Sequence, residues 1–289
     1  MRTRSCLRLP AALLCVLACL PACQSTEVLS THNLLQGQIL TVVHGCGGFE
    51  TLRNTTPPNT LAAARHSLQA GADAIELDLQ LSADGELIVF HDGDLSKNTT
   101  CTGCIGLQGA TDLRDCRYKT RNGSLDGVYT LPTLDSMFAM VTALGGSAQL
   151  FLNTKHDSPC PGGNPNHSRF AEALVTCIRR HDYTDRVIVE SLDANFLLAV
   201  RAVAPELRLL LDDEEFDRGM AVVREHAFIG LAISNGQVTE EQVRQAHREG
   251  YWLGIWGVKV QADTRRAVQK GPEFIMTDDL LMLQANLKR

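Results

Sequence analysis

The chain lacks several features that would have settled its class at once. Its apolar run Leu9–Leu20 stops well short of the roughly 20 residues a membrane-spanning helix needs. It has no basic surplus: 27 Lys and Arg stand against 33 Asp and Glu, a net charge of −6. That balance gives no electrostatic footprint for a phosphate backbone, so nucleic acid is excluded as a partner. It has no paired metal module either. Cys101-Thr102-Gly103-Cys104 has zinc-like spacing, but no second CxxC or HxxxH pair follows it. Disulfide bonding is the better reading of these cysteines.

What is present begins with a targeting segment. Arg2, Arg4 and Arg8 precede Leu9–Leu20, a basic region before a short apolar one, which reads as a secretory signal over residues 1–22. Leu20-Pro21-Ala22-Cys23 closes it in the manner of a bacterial lipobox, making Cys23 the lipidated first residue of the mature chain. A plain cleaved signal with a stray cysteine is the other reading. Gln24, rather than Asp, follows Cys23 and by the bacterial sorting rule directs the chain to the outer membrane. A lipid at one end would hold an otherwise soluble domain against a membrane surface. Residues 23–37 are mostly polar and read as a tether; residues 38–289 form the folded domain. Loss of the three signal arginines takes the net charge from −6 to −9. Export permits disulfides. Cys46, Cys101, Cys104, Cys116, Cys160 and Cys177 remain, and their pairing stays open. A bond from Cys101 or Cys104 to Cys116 would staple the Gly-, Thr- and Asn-rich loop that follows His91.

The rest of the chain alternates short apolar strands with amphipathic helices. Strands are expected over 39–43, 74–80, 149–153, 187–190, 207–211, 228–233, 251–256 and 274–276. Helices lie between them, with Asn59 as the cap of the first. Thr239 and Gln242 form a capping box, and Asp263 caps a later helix. Eight strands alternating with helices over about 250 residues predict a TIM (β/α)8 barrel, with an open doubly wound sheet as runner-up.

One stretch, Ala74–Asp92, departs from the repeat. Ile75-Glu76-Leu77-Asp78-Leu79-Gln80 alternates apolar and polar, Asp84-Gly85 is a hairpin pair, and Glu86–Phe90 returns. A two-residue turn places Asp78 opposite His91; a β-bulge would shift that pairing by one. Glu76 and Asp78 point to the same side of their strand. Two carboxylates suit Mg²⁺ or Ca²⁺, and a nearby imidazole moves protons near neutral pH. In a barrel, chemistry gathers where the strands end. His44, Asn153, Lys155, Glu190, Trp256 and Lys259 all stand at such ends, whereas His66, His167, His181, His226 and His247 read as solvated.

These residues resemble the glycerophosphodiester phosphodiesterases. The family pattern runs H-R-G, P-E-N-T, E-x-D, D-G, H-D, P-T-L, E-x-K, W-x-V and T-D. The chain has His44-Gly45, Pro57-Pro58-Asn59-Thr60, Glu76-Leu77-Asp78, Asp84-Gly85 and His91-Asp92. Further on come Pro132-Thr133-Leu134, Asn153-Thr154-Lys155, Trp256-Gly257-Val258 and Thr277-Asp278. The resemblance implies a TIM barrel with a divalent metal, Ca²⁺ or Mg²⁺, on Glu76, Asp78 and Asn153. It also implies acid–base histidines at His44 and His91 and a phosphate-side Lys155. Trp256 is a candidate substrate contact.

Three positions depart from the family pattern. Gly45 replaces an Arg that would fork a phosphate, Pro58 replaces a Glu, and Asn153 replaces the third metal carboxylate. Asn153 still offers a carbonyl oxygen, but the site loses one negative charge. The leading expectation is hydrolysis of glycerophosphodiesters or related lipid head-group diesters. The alternatives are a phospholipase D-like lyase that forms a cyclic phosphate, and a degenerate barrel that only binds a ligand.

Overall fold

A computed structural model describes residues 33, 37–49, 56–119, 128–145, 148–155 and 166–287. The elements in chain order are β1 (Leu40–Val43), α1 (Leu61–Gln69), β2 (Ala74–Leu81), β3 (Leu87–Val89), α2 (Ala110–Leu113) and α3 (Leu134–Ala143). Then come β4 (Gln149–Thr154), α4 (His167–Arg180), β5 (Val187–Ser191), α5 (Ala194–Val203), β6 (Arg208–Asp212) and α6 (Phe216–His226). The chain continues through β7 (Gly230–Ser234), α7 (Glu240–Arg248), β8 (Trp252–Val258), α8 (Gln261–Lys270), β9 (Phe274–Thr277) and α9 (Leu280–Leu287). Strand order is β1-β9-β8-β7-β6-β5-β4-β2-β3, and β1 also pairs β2 in parallel through Val42↔Ala74 and Val43↔Ile75. That pairing closes eight parallel strands into a barrel and excludes the open sheet. β3 is an antiparallel addition to the end of β2.

The period of two along each strand sorts inside from outside. Val42, Ala74, Phe151, Ile188, Leu210, Ala232, Phe274 and Met276 form one buried cluster, the filling of the barrel. The Phe151 and Phe274 rings meet there at 4.7 Å. Neighbours of opposite parity, such as Val43, Ile75, Leu77, Leu150, Val189 and Leu211, belong to the larger core shared with the helices. Two residues beyond the inner apolar layer, the same inward rows turn polar: His44 after Val42, Glu76 after Ala74, Asn153 after Phe151, Glu190 after Ile188, Asp212 after Leu210 and Asp278 after Met276. The site is therefore the next layer of the barrel's own packing.

The hairpin differs from expectation by one residue. β2 and β3 pair as Leu79↔Val89, Gln80↔Ile88 and Leu81↔Leu87, so Asp78 lies opposite Phe90, whose N–H donates to the Asp78 carbonyl at 2.9 Å. Ser82 N–H donates to the Glu86 carbonyl, which leaves Ala83-Asp84-Gly85 as a three-residue loop. Gly85 sits at φ +96°, the left-handed residue that such a loop requires. His91 consequently lies just past the strand. The loop after it packs Ile88, Phe90, Leu95, Ile105, Leu113 and Tyr118 into a small core and is stapled by Cys101–Cys116. Cys104 is disulfide-bonded as well. Cys46 and Cys177 are the free thiols among the described residues.

Three local expectations are corrected. The first helix is capped by Thr60, whose hydroxyl accepts from Ala63 N–H, because Asn59 is diverted to the site. The helix assigned to Asp263 starts earlier, with Val260 at its cap and Asp263 inside the first turn. Several histidines read as solvated have carboxylate partners: His247 is buried against Glu273, His181 meets Asp135 and His167 meets Asp193. The Thr239–Gln242 capping box is present. Asn33, inside the expected tether, is buried, with its amide 3.4 Å from Glu273 Oε1. The signal segment and Cys23 lie outside the described residues. Among those described, no helix is long and apolar enough to cross a membrane.

Candidate active site

β1 delivers His44 to the mouth, where its Nδ1 lies 2.9 Å from Asp278 Oδ1 at the end of β9. β1 and β9 pair in parallel with Val43↔Thr277, so His44 and Asp278 are the next residues along that ladder. Asp278 Oδ1 also accepts from Phe49 N–H at 3.1 Å. Burial opposes ionisation of Asp278, but the His44 hydrogen bond holds its carboxyl below the usual range.

β2 supplies Glu76 and Asp78, both fully buried. Glu76 Oε2 accepts from Gly45 N–H at 2.5 Å; Oε1 has no hydrogen-bonding partner among the described residues. Asp78 Oδ2 accepts from Asn59 Nδ2 at 2.6 Å, and Asn59 Oδ1 accepts from Asp78 N–H at 3.1 Å. Lys155 Nζ lies 2.9 Å from Asp78 Oδ1. The two acids titrate apart for physical reasons. Burial, then the charge of Asp78, pushes Glu76 well above the usual carboxylate range. Burial acts on Asp78 in the same direction but loses to the Lys155 ammonium, with His91 and His44 adding to it, and its carboxyl falls well below that range. Lys155 is raised in turn by Asp78 and Glu76, against its own burial.

β4, β5 and β6 complete the floor. Asn153 stands beside Asp78 and Glu190 in the ladder, and its Nδ2 donates to Asp212 Oδ2 at 3.5 Å. Glu190 and Asp212 are both raised, first by burial, with the charge of Asp212 adding for Glu190. Glu190 Oε2 and Asp212 Oδ1 lack hydrogen-bonding partners among the described residues, as Glu76 Oε1 does. Three orphaned oxygens on buried carboxyl groups make a hard, oxygen-rich donor set, which suits a divalent cation such as Mg²⁺ or Ca²⁺.

His91 follows β3, the strand added to the end of β2. Its Nδ1 lies 3.3 Å from Asp92 Oδ1, and that hydrogen bond is the largest influence raising its pKa above the ordinary imidazole value. Asp92 is fixed in turn by Asn98. Phe49 lies between the two imidazoles, its ring centroid 4.6 Å from His44 and 5.0 Å from His91. Trp256 is half-buried and rests on the inner apolar cluster at the end of β8; Lys259 is exposed beyond it.

The barrel therefore brings His44, Glu76, Asp78, Asn153 and Lys155 together, with His91 at the same mouth, in contact with Phe49. Asp212 and Asp278 went unassigned as site residues, although the inward parity of Leu210 and Met276 points to both once the strands are extended by a residue or two. Asn59 carried only a capping role, since nothing local reveals that its amide spans the Asp78 carboxylate and backbone. Phe49 has no signal in the sequence at all.

Phe49 also accounts for Gly45. A Cβ at position 45 would lie 2.3 Å from Phe49 Cε2, and Gly45 has φ +51°. An arginine has no room there while Phe49 is in place. Gly45→Ala is expected to cost about 1–3 kcal/mol of stability through overpacking and backbone strain. Urea denaturation checks this; an unchanged midpoint would show that Phe49 yields freely.

Two carboxylate-paired imidazoles at an acidic floor suit acid–base cleavage at phosphorus, and the molecule is a phosphoric diester hydrolase built on a (β/α)8 barrel. The chain belongs to the glycerophosphoryl diester phosphodiesterase family, whose model matches residues 51–282. A glycerophosphodiester phosphodiesterase of Caldanaerobacter subterraneus is 26% identical over 230 residues, covering 77% of this chain and 89% of that protein. The Bacillus subtilis enzyme of the same name is 25% identical over 271 residues, covering 86% and 87%. A crystal structure of an Oleispira antarctica phosphodiesterase in complex with the product sn-glycerol-3-phosphate aligns with a TM-score of 0.76 at 21% identity, over 86% of this chain and 97% of that one. A glycerophosphodiester phosphodiesterase from Agrobacterium tumefaciens aligns at 0.69 and 23% identity, over 87% and 100%.

Proposed function

We propose that the mouth hydrolyses glycerophosphodiesters, or related lipid head-group diesters, to an alcohol and glycerol phosphate. The observation that carries this reading is the pair of carboxylate-backed imidazoles, His44–Asp278 and His91–Asp92, at a barrel mouth floored by buried carboxylates with unsatisfied oxygens. Two relatives named for glycerophosphodiester cleavage and a neighbour holding sn-glycerol-3-phosphate support the substrate class.

The roles follow from the hydrogen bonds. His44 donates Nδ1–H to Asp278, which leaves Nε2 free to accept the proton of the attacking water. His91, held protonated to higher pH by Asp92, gives a proton to the departing alkoxide. Glu76, through its unsatisfied Oε1, and the amide oxygen of Asn153 would hold a divalent cation, Ca²⁺ or Mg²⁺, with Asp78 joining them where its Oδ1 is released by Lys155 and with Glu190 and Asp212 beside it. Such a cation, when bound, withdraws charge from the phosphoryl oxygens. Lys155 holds the Asp78 carboxylate in place and carries positive charge toward the phosphate side. Trp256 offers an apolar wall to the substrate.

The test is purified chain with a panel of glycerophosphodiesters, with and without EDTA, followed by ³¹P NMR. Glycerol phosphate that disappears with EDTA and returns with Mg²⁺ or Ca²⁺ is the expected result. An enduring cyclic phosphate would make the enzyme a lyase instead, and no turnover on any diester would leave a binding barrel.

The N-terminal segment supports an exported protein, lipid-anchored through Cys23 at the bacterial envelope, outer membrane or periplasm. Cys23→Ala is expected to move the protein from the membrane fraction to the soluble one; continued partitioning with membranes would remove the lipobox from the reading.

A further inference from the structure

Cys177 and His181 are four residues apart, on the last turn of α4 and at its C-cap, so their side chains leave the helix on one flank. Asp135, in the first turn of α3, faces them. Cys177 Sγ lies 3.7 Å from Asp135 Oδ1, and His181 Nε2 lies 2.5 Å from the same oxygen. One donor atom from each of the three sits within 4.8 Å of the others. A cavity of about 320 Å³ opens beside them, with Glu86 on its wall. Burial, then Asp135, raises the Glu86 carboxyl. None of these residues belongs to the barrel mouth.

A thiol, an imidazole and a carboxyl group, two of them at i and i+4 on a helix, are the donors a borderline-soft cation selects over Mg²⁺ or Ca²⁺. Tetrahedral bonds of roughly 2.0–2.3 Å set adjacent donors roughly 3.3–3.8 Å apart. The sulfur–carboxylate separation already meets this, and the His181–Asp135 contact needs to open by about 1 Å. We propose that Asp135, Cys177 and His181 form a zinc-type site joining α3 to α4, with its fourth position open to the cavity.

The chemistry balances without any redox partner. Burial pushes the Cys177 thiol up to about 12, so the free protein holds it protonated. The ion replaces that proton at sulfur, and the proton leaves to solvent. Arg180 now forks both Asp135 oxygens at 3.0 Å; it gives up Oδ1 to the ion and keeps Oδ2. Apparent affinity should therefore rise with pH.

The test uses the full chain, stripped with chelator and titrated with Co²⁺, whose thiolate bond gives a near-ultraviolet charge-transfer band that oxygen ligands do not. Cys101, Cys104 and Cys116 are in disulfides, Cys46 is fully buried beside the Thr60 carbonyl, and Cys6, Cys15, Cys19 and Cys23 are changed to serine in every protein tested, with Cys160 told apart by the comparison with Cys177→Ser. The expected result is a band that saturates at one equivalent and is displaced by Zn²⁺. It should be absent in Cys177→Ser and at least tenfold weaker in affinity in His181→Gln, with diester hydrolysis retained in both. Circular dichroism establishes that each variant is folded, and the two variants report independently. No band, a band that survives Cys177→Ser, or one that needs a large excess of Co²⁺ would overturn the site.

Discussion

His91→Ala is expected to lose about 10²–10⁴-fold in turnover on a natural glycerophosphodiester yet keep most of its activity on a p-nitrophenyl phosphodiester. The reason is the leaving group. An alkoxide such as that of glycerol or choline must be protonated as it departs, whereas p-nitrophenolate leaves without a proton. His44→Ala should lose both reactions, since the attacking water needs a base in either case. The hydrogen-bond pattern sharpens this. Asp92 raises the pKa of His91, so the alkaline limb of kcat/KM on a natural diester should lie above the ordinary imidazole range. Asp92→Asn removes the main cause and should move that limb to lower pH. Selective rescue in His44→Ala would reverse the two roles. Full activity in both variants would place the proton transfers elsewhere.

Glu76→Gln should separate stability from activity. Glu76 is fully buried with one oxygen unpartnered among the described residues, and its carboxyl is held well above the usual range by burial and by Asp78. Such a group binds its proton more tightly folded than unfolded. Its contribution is neutral while both states are protonated, and stability is lost as the pH rises through the unfolded value toward the folded one. Near neutral pH the metal-free protein bears this cost. The amide cannot ionise in either state, so it carries no such cost, and it still offers an oxygen to Gly45 N–H. Metal-free Glu76→Gln is therefore expected to gain about 1–3 kcal/mol, a Tm higher by several degrees. It should lose about 10²–10³-fold in activity. Added Mg²⁺ or Ca²⁺ should raise the Tm of the natural chain and leave the variant's nearly unchanged. Equal cation-induced shifts in the two proteins would remove Glu76 from the ligand set.

Much of this site is visible in the sequence, because strand patterning is local. Glu76-Leu77-Asp78 shows two carboxylates on one side of a strand, and His44 and Asn153 stand at strand ends whatever the neighbours are. The misreadings have a common cause. The hairpin register turned on whether Asp84-Gly85 closed a two- or a three-residue loop, and the Ser82 N–H to Glu86 carbonyl bond, with Gly85 but not Asp84 at positive φ, settles it in favour of three. Asn59 looks like a helix cap because Asn favours that role; its actual partner is a carboxylate 19 positions away. Asp212 ended a strand that was read one residue short.

The sequence by itself determined the number of strands, their inward rows and the residue types each row carries to its end, since a period of two is written in neighbouring residues. It also determined the family motifs and the cysteines available to staple the loop after His91. Which row ends meet was decided only by closure of the barrel. β9 lies against β1 because eight twisted strands close on themselves, and that alone sets Asp278 against His44 across 234 positions of chain. Neighbouring strands in the sheet set Lys155 on Asp78 and Glu190 beside Asp212, and the closed barrel buries them away from water. Exclusion of water pushes acids of ordinary strength in opposite directions, one toward ionising more readily and others toward holding a proton more tightly, a distinction no single strand can encode.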